Sequence, residues 1–314
     1  MNIIVSICMI TYNQDKYIAQ AIDSILMQKT NFEYEIVIGE DCSTDKTREI
    51  VLDYKVKYPD KIKLLLQEKN VGMIQNFIDT LKACTGTYIA LLEGDDYWTE
   101  PYKLQKQFDL MESHPDYSLC YHKVKWVHTS KAEYNPDFVS NNDDKASSDI
   151  YDVLNRGWFM STCSLFFRNI KLPPGFENLY IGDYPLHIFL ADKGKLGFIN
   201  ETIAVYRINH KGYTSNVLKV KDFEKRKKNF VDELFLYNYL NQISGNKYQA
   251  IFQEKIYHAV HNYLRSISIN EKARFFYEFY EILNKRGIVF ISKVLSFSFV
   301  RLLKRIVNLK KTKN

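Results

Sequence analysis

The first hundred residues alternate between continuous apolar runs and segments with apolar residues at helical spacing. Ile3–Ile10 is almost uniformly apolar, as in a strand buried on both faces. Apolar residues then recur every three or four positions from Tyr17 to Leu26, which is the spacing of one helix face. This part of the chain is therefore predicted to form a strand followed by a helix.

The same unit repeats along residues 35–92. Strands are predicted at Glu35–Gly39, Lys61–Leu66 and Thr87–Leu92, and helices at Thr47–Tyr58 and Met73–Ala83. Strands that alternate with helices form parallel sheets, because each helix crosses over the sheet between neighbouring strands. The sequence predicts an α/β fold with a mostly parallel, doubly wound sheet and flanking helices.

The periodic pattern weakens after Pro115. Tyr117–Val127 alternates like a half-buried strand, whereas Thr129–Ser148 is polar and is predicted to be a long loop. Further strands are predicted at Trp158–Arg168 and Leu196–Ile208, on either side of a helix at Tyr184–Lys193.

From Ser215 onward the pattern is helical nearly to the end, so we predict a catalytic α/β domain in residues 1–217 and a helical region in residues 218–314. The charge changes at the same point. Residues 1–217 hold 23 Lys and Arg against 29 Asp and Glu, whereas residues 218–314 hold 20 against 8. An acidic front part argues against a nucleic-acid partner, and an anionic membrane surface is the expected partner of the basic tail.

Composition fits a globular intracellular protein. Hydrophobic residues make up 46% of the 314 positions, which is enough for a full core. The five cysteines are an odd number without a C-x-x-C pair, and the first residues show neither a basic leader nor a cleavage site. A reducing cytoplasm is therefore expected.

Polar clusters follow three of the predicted strands. The first strand is followed by Thr11, Tyr12 and Asn13, the second by Glu40–Asp45, and the fourth by Glu93–Asp96. In open α/β sheets, ligands bind beyond the carboxyl ends of the strands, so these clusters are expected to share one site. Each cluster by itself also fits an ordinary turn or a helix cap.

The acidic pair Asp95 and Asp96 predicts a metal site. Carboxylates are the hard oxygen ligands that Mg²⁺ and Mn²⁺ prefer, and Glu93 supplies a third one nearby. A cation bridging a diphosphate would also offset the repulsion among these groups. On spacing alone, a plain turn ahead of a helix beginning near Pro101 is a slightly better explanation.

Four motifs in order resemble those of the family-2 glycosyltransferases of GT-A fold, and the resemblance covers residues 3–216. They are Val5–Asn13, Ile36–Asp45, Asn70–Gly72 with Asn76, and Glu93–Trp98 followed by Pro101 and Lys103-Leu104. The resemblance implies a GT-A, Rossmann-like sheet and a hexosyl- or N-acetylhexosaminyltransferase that inverts the anomeric centre. A nucleotide-diphosphate sugar, with UDP-sugar favoured, would be the donor, and a glycan or lipid-linked hydroxyl the acceptor, in cell-surface polysaccharide synthesis.

The resemblance also implies roles for individual residues. The donor nucleotide would be bound by Thr11, Tyr12, Asn13, Asp41, Asn70 and Asp95. Asp95, Asp96 and His210 would hold Mn²⁺ or Mg²⁺, and Glu93 stands where the family usually has an aspartate. Asp183 would be the catalytic base, although an aspartate ahead of a helix also fits an N-cap and His210 also fits a solvated loop.

Trp158 and Thr162 are predicted to line the acceptor pocket, since sugars stack on indole faces, but Trp158 also fits a core position. The segment 287–314 combines one apolar stripe with seven basic and no acidic side chains. It is too charged to span a bilayer, which takes roughly 20 apolar residues. It is expected either to lie on the inner face of the membrane, as in a peripheral protein, or to dock on the catalytic domain.

Two other functions remain open at this point, and so does the oligomeric state. A nucleotidyltransferase on a related sheet would need a glycine-rich phosphate loop after the first strand, where this chain has Thr11–Asp15. A non-catalytic carbohydrate-binding or scaffold protein would keep the fold without turnover. The joint presence of Asp41, Asp95, Asp96 and Asp183 argues against it.

Overall fold

A computed structural model of the protein describes residues 2–128, 139–140, 145–208, 223–267 and 271. The chain divides into two compact units, Met1–Leu218 and Lys219–Asn314. The first unit contains the sheet, and the described part of the second is helical.

One ten-stranded sheet organises the first unit, and its first four strands are parallel neighbours in the order β3-β2-β1-β4. These strands are β1 (Val5–Thr11), β2 (Tyr34–Glu40), β3 (Ile62–Leu66) and β4 (Tyr88–Leu91). The helices between them are α1 (Ile18–Leu26), α2 (Thr47–Lys57) and α3 (Met73–Ala83). The predicted α/β fold class with a mostly parallel sheet is confirmed.

Close packing of α3 against β2 fixes where the loop ahead of α3 lies. A Cβ on Gly39 would come within 1.9 Å of Thr80 Oγ1 on α3, so only glycine fits at this point. Asn76, also on α3, donates its Nδ2 hydrogen to the Gly39 carbonyl at 2.8 Å. The start of α3 is thereby held beside the carboxyl end of β2.

The second half of the sheet continues from β4 in the order β9-β6-β10-β5, with β7 beside β6 and β8 beside β10. Its strands are β5 (Tyr97–Trp98), β6 (Tyr117–His128), β7 (Val139–Ser140), β8 (Ser147–Ser148), β9 (Phe166–Arg168) and β10 (Lys195–Ile208). The helices are α4 (Lys103–Ser113), α5 (Ile150–Arg156) and α6 (Asp183–Ala191). β10 runs parallel to β6, while β9 runs antiparallel to both of its neighbours.

Two expectations for this half were partly wrong. Of the strand predicted at Trp158–Arg168, only Phe166–Arg168 pairs as a strand, because Thr162–Ser164 forms a 3-10 turn. Serine hydroxyls favour such local turns, and here Ser164 Oγ donates to the Ser161 carbonyl at 2.7 Å. The segment predicted as a long loop contributes two short strands, β7 and β8, in its described part.

The second unit contains a helical hairpin of α7 (Phe223–Ile243) and α8 (Gln249–Ser266). Phe230 near the start of α7 stacks on Tyr263 near the end of α8, with ring centres 4.4 Å apart, so the two helices are antiparallel. Gly245 and Asn246 make the turn at positive φ. None of the described helices is both long and apolar enough to cross a bilayer. The segment 287–314 lies outside the described residues.

A buried lysine lies at the start of α4. Lys103 is fully buried, its Nζ donates to Gln107 Oε1 at 2.6 Å, and the same atom lies 3.9 Å from the centre of the Trp98 ring. Gln107 Nε2 donates in turn to the Ser164 carbonyl at 2.9 Å. Burial disfavours the charged ammonium and lowers the pKa of Lys103 from 10.5 to about 7.

This lowered pKa makes the stability of the protein pH-dependent. Between pH 7 and pH 10 the unfolded chain holds the Lys103 proton and the folded chain does not, so the free energy of unfolding contributed by this residue rises with pH. We expect the melting temperature of wild type, relative to that of Lys103→Met, to rise between pH 7 and pH 9.5. Thermal melts of both proteins and of the exposed control Lys82→Met test this. A constant difference across that range would contradict it.

Candidate active site

The loops that follow β1 and β2 are joined by hydrogen bonds. The Asn13 backbone N–H donates to Ser43 Oγ at 3.0 Å, and Asn13 Oδ1 accepts the Thr44 N–H at 2.8 Å. Asp45 accepts the Asp15 N–H at 3.1 Å. Asn13 has a φ of 53°, a left-handed conformation that asparagine tolerates better than most residues. The predicted nucleotide-binding segments Thr11–Asn13 and Glu40–Asp45 therefore form one continuous rim.

Asp41 ties a third loop to this rim. Its side chain is buried, and its two oxygens accept the Val71 N–H at 2.7 Å and the Gly72 N–H at 3.0 Å. The exposed Asn70 is held beside them. A carboxylate has about four lone-pair sites, so Asp41 keeps acceptor capacity for a ligand. Of the other predicted nucleotide-binding residues, Thr11 is buried and the Tyr12 ring is exposed.

Three carboxylates converge in the loop after β4. One oxygen from each of Glu93, Asp95 and Asp96 lies within 4.8 Å of the others. Among the described residues this is the one group of three acidic, histidine or cysteine side chains that close. The predicted metal residues Asp95 and Asp96 are thus brought together, and Glu93 joins them.

Gly94 lets this acidic loop lie against the part of the rim that follows β1. A Cβ at Gly94 would lie 2.4 Å from Gln14 Oε1 and 2.7 Å from Thr11 Oγ1, closer than a side chain permits. The Gly94 N–H donates to the Ile10 carbonyl at 3.1 Å. The acidic cluster and the rim therefore lie along a single edge of the sheet. This is the edge that the positions of the strand ends predicted.

Asp96 is the most deeply placed of the three carboxylates. It is fully buried, and its Oδ1 accepts the Arg207 backbone N–H at 2.8 Å. Its Oδ2 has no hydrogen-bond partner within the described parts of the chain. Burial first, and then the charges of Asp95 and Glu93, raise the pKa of Asp96 well above its usual range.

These features fit a divalent cation. A buried carboxylate oxygen without a partner is costly, and a cation among three carboxylates would satisfy it and offset their repulsion. The all-oxygen donor set suits Mg²⁺ or Mn²⁺. The aspartates do not cap the next helix, because β5 intervenes and α4 begins after Tyr102, but Gly94 and Asp95 do form the turn that the simpler explanation expects.

Asp183 belongs to the same electrostatic neighbourhood. Loss of solvation, followed by the charges of Asp95 and Asp183, raises the pKa of Glu93 to about 8. Asp183 is half-buried at the first position of α6, and its Oδ1 accepts the Tyr184 N–H at 2.9 Å. Gly182 is the N-cap of α6, and Asp183 accepts an N–H of the first turn, so support of the helix start stays an alternative to the role of base.

Arg207 on β10 braces the acidic loop from the other side. Its guanidinium donates to the Asp95 carbonyl and to Gln20 Oε1 on α1. The same group lies 4.9 Å from the centre of the Tyr17 ring and 4.5 Å from that of Tyr97. Three elements distant in sequence are thus tied together behind the carboxylates.

The predicted acceptor residues lie at two nearby places. The Trp158 indole is 56% exposed and packs against the Tyr184 ring, with ring centres 5.1 Å apart. Thr162 is half-buried and opens the 3-10 turn whose next residue, Cys163, accepts the Trp98 indole N–H at 3.0 Å. Burial first, and then the charges of Asp96 and Glu93, raise the pKa of the Cys163 thiol well above its usual range, which places Thr162 near the acidic cluster. His210, the remaining predicted metal ligand, lies outside the described residues.

Sequence reasoning gave two contributors too little weight. Glu93 was left without an assigned role, although its place after a buried strand is the signal that also singled out Asp95. Arg207 is the second, and the sequence analysis gives it no role. No local pattern identifies its contacts, because they join β10 to a loop and a helix far away along the chain.

Known proteins are similar in sequence to this chain over part of their own length. The chain is 36% identical to Rv1520 of Mycobacterium tuberculosis over 221 residues, which is 67% of this chain and 61% of that protein. It is 35% identical over 108 residues to the putative teichuronic acid biosynthesis glycosyltransferase TuaG of Bacillus subtilis, which is 34% of this chain and 42% of that one. The chain thus spans less than two thirds of the length of these relatives.

Two solved structures share the fold. S. aureus TarS, residues 1–349, in complex with UDP superposes with a TM-score of 0.54 at 18% identity, covering 86% of this chain and 83% of that one. Mannosyltransferase PcManGT from Pyrobaculum calidifontis, in complex with GDP-Man and Mn²⁺, gives a TM-score of 0.52 at 15% identity, covering 95% and 86%.

A protein-family model places these observations in one class. The model for glycosyl transferase family 2 matches residues 6–170, which is more than half of the chain and includes the nucleotide rim, the acidic loop and β9. The chain therefore belongs to glycosyl transferase family 2, and its sheet has the GT-A fold.

Proposed function

We propose that the protein transfers a sugar from a nucleotide-diphosphate sugar to a hydroxyl of a glycan or lipid-linked acceptor in cell-surface polysaccharide synthesis, with inversion at the anomeric carbon. The observation that carries this proposal is the buried, unpartnered Asp96 oxygen beside Glu93 and Asp95, at the edge where the nucleotide rim lies. The kinship with a teichuronic acid glycosyltransferase supports the polysaccharide context. A UDP-sugar is the favoured donor, since the TarS structure holds UDP.

The rim would bind the nucleotide. Asp41 and Thr11 would hold the base and ribose by hydrogen bonds, and the exposed Tyr12 ring offers a surface for the base. Asn13 lies on the rim itself, where it accepts the Thr44 N–H. Asn70 lies on the loop that Asp41 joins to the rim through the Val71 N–H. Asp95 would complete the site toward the diphosphate.

Asp95 and Asp96 would hold the metal, together with His210 if that residue approaches them. When bound, Mn²⁺ or Mg²⁺ would offset the charge of the departing diphosphate. Glu93 acts on both aspartates, because one of its carboxylate oxygens lies within 4.8 Å of an oxygen of each.

Asp183 would be the base that accepts the proton of the acceptor hydroxyl. Its charge reaches Glu93, so it lies near the acidic cluster, and Tyr184 N–H orients one of its oxygens. An attacking hydroxyl activated there displaces the diphosphate in a single step, which inverts the anomeric centre. Placement of the two reactants supplies much of the rate, because the reaction becomes effectively unimolecular.

The basic segment 287–314 would hold the enzyme at an anionic membrane surface on the cytoplasmic side. Its seven basic side chains stand beside no acidic ones, and its apolar stripe suits the boundary between headgroups and acyl chains. A glycosyltransferase that acts on lipid-linked acceptors would benefit from this location.

Asp96→Asn should abolish most metal binding without loss of stability. Asparagine keeps an oxygen for the Arg207 N–H but removes a buried charge next to two others, so the melting temperature in the absence of metal should stay equal or rise. Calorimetric titration with MnCl₂ should give an affinity at least about tenfold weaker, since loss of even a supporting group costs 10–100-fold. The exposed control Asp53→Asn should bind as wild type does. Unchanged affinity in Asp96→Asn would rule out the metal assignment.

Asp183→Asn should separate donor binding from chemistry. The nucleotide sugar that gives metal-dependent thermal stabilisation is identified first and used as donor. Asparagine keeps the shape and the bond from Tyr184 N–H but cannot take up the proton, so kcat should fall on the order of 10²–10⁴-fold while the donor Kd changes little. The exposed control Asp60→Asn should leave both unchanged. A rate within a few fold of wild type would refute Asp183 as base.

Deletion of residues 287–314 should weaken binding to vesicles that contain phosphatidylglycerol. Each basic residue near such a surface contributes about 1 kcal/mol, so sedimentation with these vesicles should drop strongly at low salt. Vesicles of phosphatidylcholine alone are the control, and there the two proteins should behave alike. Equal sedimentation with anionic vesicles, or aggregation of the shortened protein, would instead favour a helix that docks on the catalytic domain.

A further inference from the structure

A buried histidine lies one helical turn after Asp183. Both residues belong to α6, and residues four apart lie on the same face of a helix, with about 5–6 Å between their Cβ atoms. Asp183 is half-buried at the start of this face, whereas the His187 side chain is completely shielded from solvent. His187 therefore lies behind the proposed base and is too deeply placed to contact a ligand at the surface.

The imidazole of His187 makes no hydrogen bond within the described residues. Neither Nδ1 nor Nε2 has a partner there, although a buried polar atom left unpaired costs about 1–3 kcal/mol. The neighbouring positions of α6 are apolar and buried, among them Leu186, Ile188 and Leu190. An aliphatic side chain at position 187 would fill such a place at lower cost, so packing does not explain the histidine.

Electrostatics connect the histidine to the base. Among the described residues, Asp183 is the one charge that acts on the His187 ring, and it opposes the larger effect of burial. Burial lowers the pKa of His187 to about 4, so the ring is neutral at physiological pH. A neutral imidazole carries one N–H and one acceptor nitrogen. It can orient a carboxylate through the N–H without adding a positive charge, which would make Asp183 a weaker base.

Asp183 has an oxygen to offer to this N–H. Its Oδ1 accepts the Tyr184 N–H at 2.9 Å, and its Oδ2 accepts no hydrogen bond from the described residues. In this arrangement the carboxylate and the His187 ring are not hydrogen-bonded to each other. A change in the Asp183 side-chain rotamer would bring one oxygen toward the ring one turn below and leave the other for the acceptor hydroxyl.

We propose that His187 is a positioning residue for Asp183: with an acceptor bound, its N–H donates to one carboxylate oxygen and thereby turns the other toward the acceptor hydroxyl. The proton of that hydroxyl passes to Asp183, and His187 keeps its own. This inference rests on the proposed role of Asp183 as base and adds a second residue of α6 to the transfer reaction. Orientation matters here because a misplacement of about 1 Å can lower a rate on the order of 10²-fold.

The test is a double-mutant cycle on the whole chain. UDP-GlcNAc, UDP-glucose and GDP-mannose are first compared for Mn²⁺-dependent thermal stabilisation, and the best of them serves as donor. Turnover is followed as release of the nucleoside diphosphate, with methyl glycosides as acceptors and in water alone. His187→Leu should lower kcat on the order of 10–100-fold and leave the donor Kd unchanged. The melting temperature should stay equal or rise, because two unpaired nitrogens are removed.

The Asp183→Asn background separates positioning from packing. If His187 acts through Asp183, His187→Leu should change the residual rate of Asp183→Asn by less than about twofold, because the group that it positions has already lost its function. A packing defect would instead lower the rate by the same factor in both backgrounds. His187→Phe repeats both measurements with a second apolar side chain. The matched control is His122→Leu, which removes another fully buried imidazole, on β6, and should leave kcat within a few fold of wild type.

Each outcome decides one level of the proposal. Wild type that turns over no nucleotide sugar would overturn the proposed glycosyl transfer, and Asp183→Asn with a wild-type rate would overturn the base together with the residue that positions it. With Asp183→Asn slow as expected, a wild-type kcat in the His187 variants, an equal loss in both backgrounds or a parallel loss of donor affinity would overturn the positioning role alone. Loss of the fold in both His187 variants would do the same, since His187 would then belong to the core.

Discussion

The arrangement depends on the burial of one carboxylate. Asp96 lies fully inside the protein with two other acids close by, and the Arg207 N–H is the hydrogen bond that its Oδ1 receives. Such a group is unfavourable for folding, since both desolvation and like charges oppose its ionised form. A chain that keeps it uses the carboxylate for something other than stability. A divalent cation would meet that requirement, because it would offset the three charges and pair the Asp96 oxygen that has no partner among the described residues.

The loops around Asp96 are held in place by contacts among other residues. Gly94 brings the acidic loop against Thr11 and Gln14. Asn13 joins the loop after β1 to the loop after β2, and Asp41 joins the loop after β2 to the start of α3. Each link is a hydrogen bond or a close approach between loops that leave neighbouring parallel strands. The rim and the acidic cluster are therefore set relative to one another by the pairing of the parallel strands that they follow. Precise spacing of this kind suits a reaction in which placement of the reactants matters more than acid–base chemistry.

Two basic side chains, Arg207 and Lys103, contact the elements around the cluster. On the β10 side, Arg207 donates to the Asp95 carbonyl and lies against two tyrosine rings. Beneath β5, Lys103 lies over Trp98 and hydrogen-bonds Gln107, and Trp98 reaches the turn that contains Cys163. The side near the start of α6 carries an exposed indole, Trp158, and a half-buried aspartate, Asp183.

The sequence by itself determined the fold class and the edge of the sheet that carries the site. Apolar runs and helical spacing are local signals, and the polar residues after β1, β2 and β4 follow directly from where those runs end. The sequence could not decide whether Asp95 and Asp96 form a metal site or a capping turn, because both have the same local pattern. Only the tertiary structure placed β5 between the two aspartates and α4, and buried Asp96. It also brought Arg207 from β10 and Asp183 from α6 to the acidic cluster. Packing sets the distances between residues far apart in the chain, and no periodicity along the sequence encodes them.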